Sequence, residues 1–167
     1  VAHLVELGHR RIAFTCLPDD VHPTNEPKVR GWRSAKARYG IDADGRYTIP
    51  VPWEFASPRT RGDYVADAIA ALTPAPTALV ATSDDIALSV SGVLTGRGWR
   101  LPENLSVIGF DGVFYGQYVW PPLTTLAQPL QRIAERAAER LKRLVDARGA
   151  GAPLPPTCAL IEPELIV

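Results

Sequence analysis

The side chains with chemistry to offer sit at the ends of short apolar runs. Arg11–Leu17 leads into Pro18, Asp19 and Asp20. Tyr47–Pro52 leads into Trp53, Thr77–Thr82 into Ser83, Asp84 and Asp85, and "LSVIGF" into Asp111. Leu123–Gln128 finishes on Gln128, and Lys28 opens the helical stretch that follows the first run. A carboxylate at a strand end accepts hydrogen bonds in fixed directions, and vicinal sugar hydroxyls can supply them. Trp53 adds an apolar face for the flat side of a ring, and Lys28 adds a cation. Asp84, Asp85 and Asp111 could instead hold Mg²⁺, one of them acting as a phosphoryl acceptor in a phosphoryl-transfer enzyme. That second chemistry lacks companions. The chain has no GxxxxGK, GxSxG or HExxH pattern, its three histidines do not cluster, and no Cys/His spacing suits zinc. No cofactor is expected.

Each of these residues also has a plainer reading. Ser83 or Asp84, just before a helical stripe, can serve as its N-cap. Trp53 can be core, and Lys28 a solvated charge. Asp111 is harder to dismiss, because "GVFYGQYVWPPL" follows it and shows no evident helix to cap.

The elements that would position these groups alternate. Val29, Trp32, Ala35, Lys36 and Tyr39 mark a helix that stops at Gly40. Tyr64, Val65, Ala68, Ile69 and Leu72 mark a second, and Ile86, Ala87, Val90, Val93 and Leu94 a third. The prolines in Tyr47–Pro52 demote that strand toward an edge. "CALIEPELIV" closes the chain as one or two strands. Strands alternating with helices predict an α/β fold with a parallel sheet covered on both faces. In such sheets ligands bind outside the carboxyl ends of the strands, so the polar residues above share one rim. A long helix from about Pro129 to Arg148 carries Leu130, Ile133, Ala137, Leu141 and Leu144 on one face and Arg132, Glu135, Arg136, Glu139 and Arg143 on the other. Its apolar face can cover the sheet or pack on something else.

The formal net charge is zero. Nucleic-acid binding draws on a basic excess, so any DNA contact is expected outside this chain. No apolar run approaches the ~20 residues that span a bilayer, and the opening residues show no signal-peptide pattern. Cys16 and Cys158 both fall in strand-like runs and read as small buried residues. "VAHLVELGH" reads as the tail of a helix, and there is no methionine, so a piece of a longer protein is expected.

"HLVELGHRRIAF" (His3–Phe14), "TSDDIALSVSGVLTGRGWRLPENLSVIGFD" (Thr82–Asp111) and "PPLTTLAQP" (Pro121–Pro129) together resemble the effector-binding domain of the LacI/GalR family of bacterial transcription repressors. "IEPELIV" resembles the family's final strand, so the likeness spans essentially the whole chain. It implies a periplasmic-binding-protein-like type I fold of two α/β lobes with a ligand cleft between them. Residues 1–128 and 154–167 would form the C-terminal lobe. Residues 129–153 would be a helix and linker belonging to an N-terminal lobe otherwise absent here.

By position, the resemblance implies effector contacts at Lys28, Trp53, Ser83, Asp84, Asp111 and Gln128. Two departures stand out. The family usually has an arginine three residues before the Gly31–Trp32 pair, and Lys28 lacks its bidentate fork. A second polar residue often follows the strand-end aspartate, and here it is Gly112. The implied function is non-enzymatic: a cytoplasmic sensor binding a sugar, a related polyol or a nucleobase, with DNA reached only through a helix-turn-helix outside this chain. A homodimer and no membrane association are implied. The alternative within the same fold is an exported solute-binding protein. The two differ in what precedes Val1, a helix-turn-helix or a signal peptide.

Overall fold

The computed structural model describes residues 1–18, 25–42, 45–52, 54, 57–149, 155 and 158–167. A short helix α1 (Ala2–Glu6) leads into β1 (Ile12–Cys16), α2 (Asn25–Tyr39), β2 (Thr48–Pro50), α3 (Pro58–Ala71), β3 (Ala78–Val80), α4 (Asp84–Gly96) and β4 (Ser106–Asp111). A 3-10 turn at Phe114–Tyr118 precedes β5 (Thr124–Ala127), α5 (Leu130–Gly149) and β6 (Glu164–Ile166). The strands form one sheet in the order β2-β1-β3-β4-β5-β6. Every pairing is parallel except β5 with β6. β2 lies at an edge, in keeping with Pro50 within it and Pro52 just beyond.

Alternation along β1 divides the core between the two faces. Ile12, Phe14 and Cys16 join Leu4, Val29, Trp32 and Ile41 in one cluster. Ala13 joins Val65, Ile69, Leu79, Val90 and Leu94 in the other. On the first face Trp32 stacks on Phe14, with ring centroids 5.1 Å apart. Its indole N–H donates to Thr48 Oγ1 at 3.0 Å, so the large ring is buried without an unpaired donor. On the second face α3 and α4 meet backbone to backbone. A Cβ on Gly62 would stand 2.6 Å from the Ser89 carbonyl oxygen, so only glycine fits. Ser57 caps α3 in a capping box with Thr60, and Pro58 sits in the first turn, where its missing N–H costs nothing.

The pairing of β1 with β3 ends at Phe14 and Val80, and the chain leaves β1 toward β2 and β3 toward β4, on opposite sides. The backbone N–H of Thr82 donates instead to Thr15 Oγ1 at 3.0 Å, and the two threonine hydroxyls are 3.2 Å apart. A side chain thus completes the ladder at the point where the winding direction of the sheet reverses.

One expectation needs correction. Cys158 is exposed and outside any strand, and only Cys16 is buried. No disulfide joins them. The closing segment forms one short antiparallel strand, β6, within the one or two expected. The long helix forms as the spacing predicts, but α5 does not cover the sheet: none of its residues is buried, and Leu130 and Leu141 are 66% and 63% exposed.

Candidate effector-binding rim

Three of the residues singled out from the sequence meet at the carboxyl end of the sheet. Lys28, in the first turn of α2, donates from Nζ to the Thr82 carbonyl at 2.7 Å. Its ammonium also lies 4.3 Å from the centre of the Phe110 ring, a cation–π contact. Burial pushes the Lys28 pKa below its ordinary value, and the nearby Asp111 carboxylate pulls it partly back. Asp111 ends β4. Its Oδ1 accepts from Gln128 Nε2 at 2.7 Å, and its backbone carbonyl accepts from the Gln128 N–H at 3.1 Å. Gln128 follows the last residue of β5, which pairs with Asp111 through Ala127. It therefore grips Asp111 by both main chain and side chain. All three residues are part-buried.

Ser83 lies next to this group and caps α4, its hydroxyl accepting from the Ile86 N–H at 3.3 Å. It retains a partly exposed position on the rim. Trp53, with Asp19 and Asp20, lies outside the described residues.

Asp84 is placed differently from Lys28, Ser83, Asp111 and Gln128. It is fully buried, and it turns inward rather than to the rim. Its Oδ2 accepts from the backbone N–H groups of Gly112 and Val113, both at 2.8 Å, and its Oδ1 accepts from Thr125 Oγ1 at 2.6 Å. A carboxylate so occupied and so enclosed presents no free oxygen to the rim. Nor does the arrangement suit a Mg²⁺ site. Asp85 is exposed and accepts from the Tyr115 hydroxyl at 2.7 Å, which raises the pKa of that phenol. Among the described residues no group of three or more His, Cys, Asp or Glu side chains is placed to hold a metal ion.

The departure at Gly112 has a steric cause. Its φ is +77°, and a Cβ there would lie 2.5 Å from Ala127 Cβ. No side chain fits, polar or otherwise. Sequence reasoning missed Thr82, Phe110 and Thr125, which hold Lys28 and Asp84 in place. One signal pointed to the Asp84 arrangement. Gly109 interrupts an apolar strand, and a strand glycine marks a close approach by another group. That group is Asp84, whose Oδ1 would lie 2.0 Å from a Cβ on Gly109.

The whole chain, residues 1–167, matches the family model described as periplasmic binding protein-like domain. The chain belongs to this family. Its relatives in the family are LacI/GalR-type regulators. The HTH-type transcriptional regulator GalR of Escherichia coli (strain K12) is 32% identical over 165 residues, covering 98% of this chain and 45% of that protein. The crystal structure of a LacI-family regulatory protein from Chloroflexus aggregans superposes with a TM-score of 0.82 at 26% identity, covering 99% of this chain and 56% of that one. A LacI-family transcriptional regulator from Enterococcus faecium, solved with bound ribose, gives a TM-score of 0.71 at 29% identity over 86% of this chain and 51% of its own. The chain thus spans about half the length of the relatives it matches. Among the described residues, no helix of this periplasmic-binding-protein-like domain is long and apolar enough to cross a membrane.

Proposed function

We propose that this chain is the greater part of one lobe of the ligand-sensing domain of a LacI/GalR-type transcription regulator, and that its rim binds a sugar-like effector. Asp111 carries the reading. One oxygen of its carboxylate is fixed by Gln128, which orients the group, and Lys28 stands close enough to act on it electrostatically. This is the pairing of directional acceptor and cation that suits a polyhydroxylated ligand. Ser83, Gln128 and Trp53 would line the same site, and Asp84 would support it from beneath. The ribose bound by the Enterococcus faecium relative supports a sugar, and a nucleobase is the remaining ligand class.

On this reading residues 129–153 belong to a second lobe, and the effector bridges the two lobes. DNA is reached through a helix-turn-helix elsewhere in the protein, as the description of GalR suggests, and the whole protein acts as a cytoplasmic homodimer. The effector changes operator affinity only if it binds two lobe arrangements unequally. The test is calorimetry on the gene-length protein against a panel of sugars that includes ribose. Asp111→Ala is expected to remove measurable binding of the sugar that titrates, and unchanged affinity overturns the assignment. This chain alone, with half of the proposed cleft, is expected to bind sugar only weakly in the same titration, and a nanomolar complex would contradict the two-lobe reading.

A further inference from the structure

We propose that Asp84 is a positioning residue for Asp111: from beneath the rim it fixes the strand exit that lets Gln128 orient the Asp111 carboxylate. The relevance of this to ligand binding rests on the function proposed above, but the geometry does not. Asp111 has a φ of +131°, a backbone conformation that non-glycine residues rarely adopt. Such a conformation persists only where the surroundings enforce it. Gln128 grips Asp111 from one side, and the segment that follows Asp111 is held by one buried carboxylate. Asp84 Oδ2 takes the N–H groups of the two residues that follow Asp111, and Oδ1 takes the hydroxyl of Thr125 on the neighbouring strand. β5 continues from Thr125 to Ala127 and Gln128 follows directly, so the same side chain ties together the segments that carry both partners of the Asp111–Gln128 bond.

The sequence clears space for this arrangement in three places. Ser83 starts α4 one residue earlier, so Asp84 falls in the first turn, where the helix dipole favours a carboxylate. Gly109 leaves the room that Asp84 Oδ1 occupies, and Gly112 lets the chain pass Ala127. Each would be unremarkable alone. Together they converge on a residue for which the resemblance implies direct contact.

The experiment is ¹⁵N NMR of the full chain without ligand. Its readouts are the Gln128 side-chain amide and the exchange rates of the Gly112 and Val113 amides, with Asp111→Ala defining the Gln128 signal when its acceptor is lost. In Asp84→Ala the Gln128 signal is expected to move toward that endpoint, and the two amides to exchange at least tenfold faster, while the α2 and α3 amides keep their protection. Asp84→Asn is expected to restore both readouts. Its amide oxygen can face the two N–H groups while its NH₂ donates to Thr125 Oγ1. A purely structural Asp84 would lower protection throughout and leave the Gln128 signal in place, and that result overturns the proposal. If Asp84→Ala does not fold, Thr125→Val and Gly109→Ala decide the matter: each is expected to shift the Gln128 signal part of the way, and an unmoved signal in both overturns it. Failure of the sugar assignment would show separately, as unchanged calorimetric affinity in Asp111→Ala.

Discussion

Helix α4 is 13 residues long and buries Asp84, Ile86, Ala87, Val90 and Leu94, whereas α5 is 20 residues long and buries nothing. Both carry an apolar stripe. The difference lies in what each stripe meets. α4 is clamped on three sides: by Gly62 of α3 at backbone distance, by the sheet beneath, and by the strand exit that Asp84 holds. Arg97 at its far end bridges to Asp63 and Asp67 of α3. α5 has regular spacing and i,i+4 side-chain pairing, such as Gln131 to Glu135, but what lies beside it among the described residues, Ala159–Ile161 and the Pro155 carbonyl that Arg140 reaches, leaves every residue of the helix unburied. Amphipathic periodicity therefore reports that a face exists and says nothing of its partner. In the proposed whole protein that partner is the second lobe.

The same substitution separates the two helices. Leu94→Ala removes a side chain that is 1% exposed, and it is expected to cost about 2–5 kcal/mol by leaving a cavity in the α3–α4 core. Urea denaturation of the chain measures it. A smaller effect should appear at the rim beside α4. Lys28 has a folded pKa below its unfolded value, so between that folded value and about 10.4 the unfolded chain holds more protons and native stability rises with pH. Below this window the cost of burying the charge is fully present. The stability difference between wild type and Lys28→Met is therefore expected to shift in favour of wild type as pH climbs toward 10, and a difference that stays flat would show Lys28 to be effectively solvated. The smallest effect belongs to α5. Leu141→Ala, at a site 63% exposed, is expected to change stability by less than about 0.5 kcal/mol in this chain. If the second lobe covers α5, the identical change in the gene-length protein costs several times more. Equal costs would break that part of the domain assignment.

The order of elements and the edge position of β2 were legible because they rest on local signals: strand composition, helical spacing, capping residues and proline. The convergence of Lys28, Asp111 and Gln128 followed from the rule that strand ends share a rim. Asp84 was read half correctly. Its place beside a helix start is local, but its burial depends on Thr125, on the amides after Asp111 and on the space at Gly109, which lie 25–41 positions away along the chain. No spacing pattern encodes such a meeting. Cys158 misled for a related reason, since its apolar neighbours look like a strand while lying beyond the reach of the sheet. The Lys28 contact with Thr82 was invisible because its acceptor is a main-chain carbonyl, which every residue possesses.

The threonine pair at the strand divergence has a consequence for how such a protein can change over generations. Above Val80 the sheet is closed by Thr15 and Thr82, which are buried, while Lys28 and Ser83 beside them are not. Residues that maintain the architecture and residues that would face the proposed effector are thus different residues in adjoining positions. Mutation can retune the second set, an arginine to a lysine at position 28 for instance, without unzipping the first. If the rim binds an effector as proposed, selectivity for new small molecules becomes available to drift while the scaffold stays under constraint.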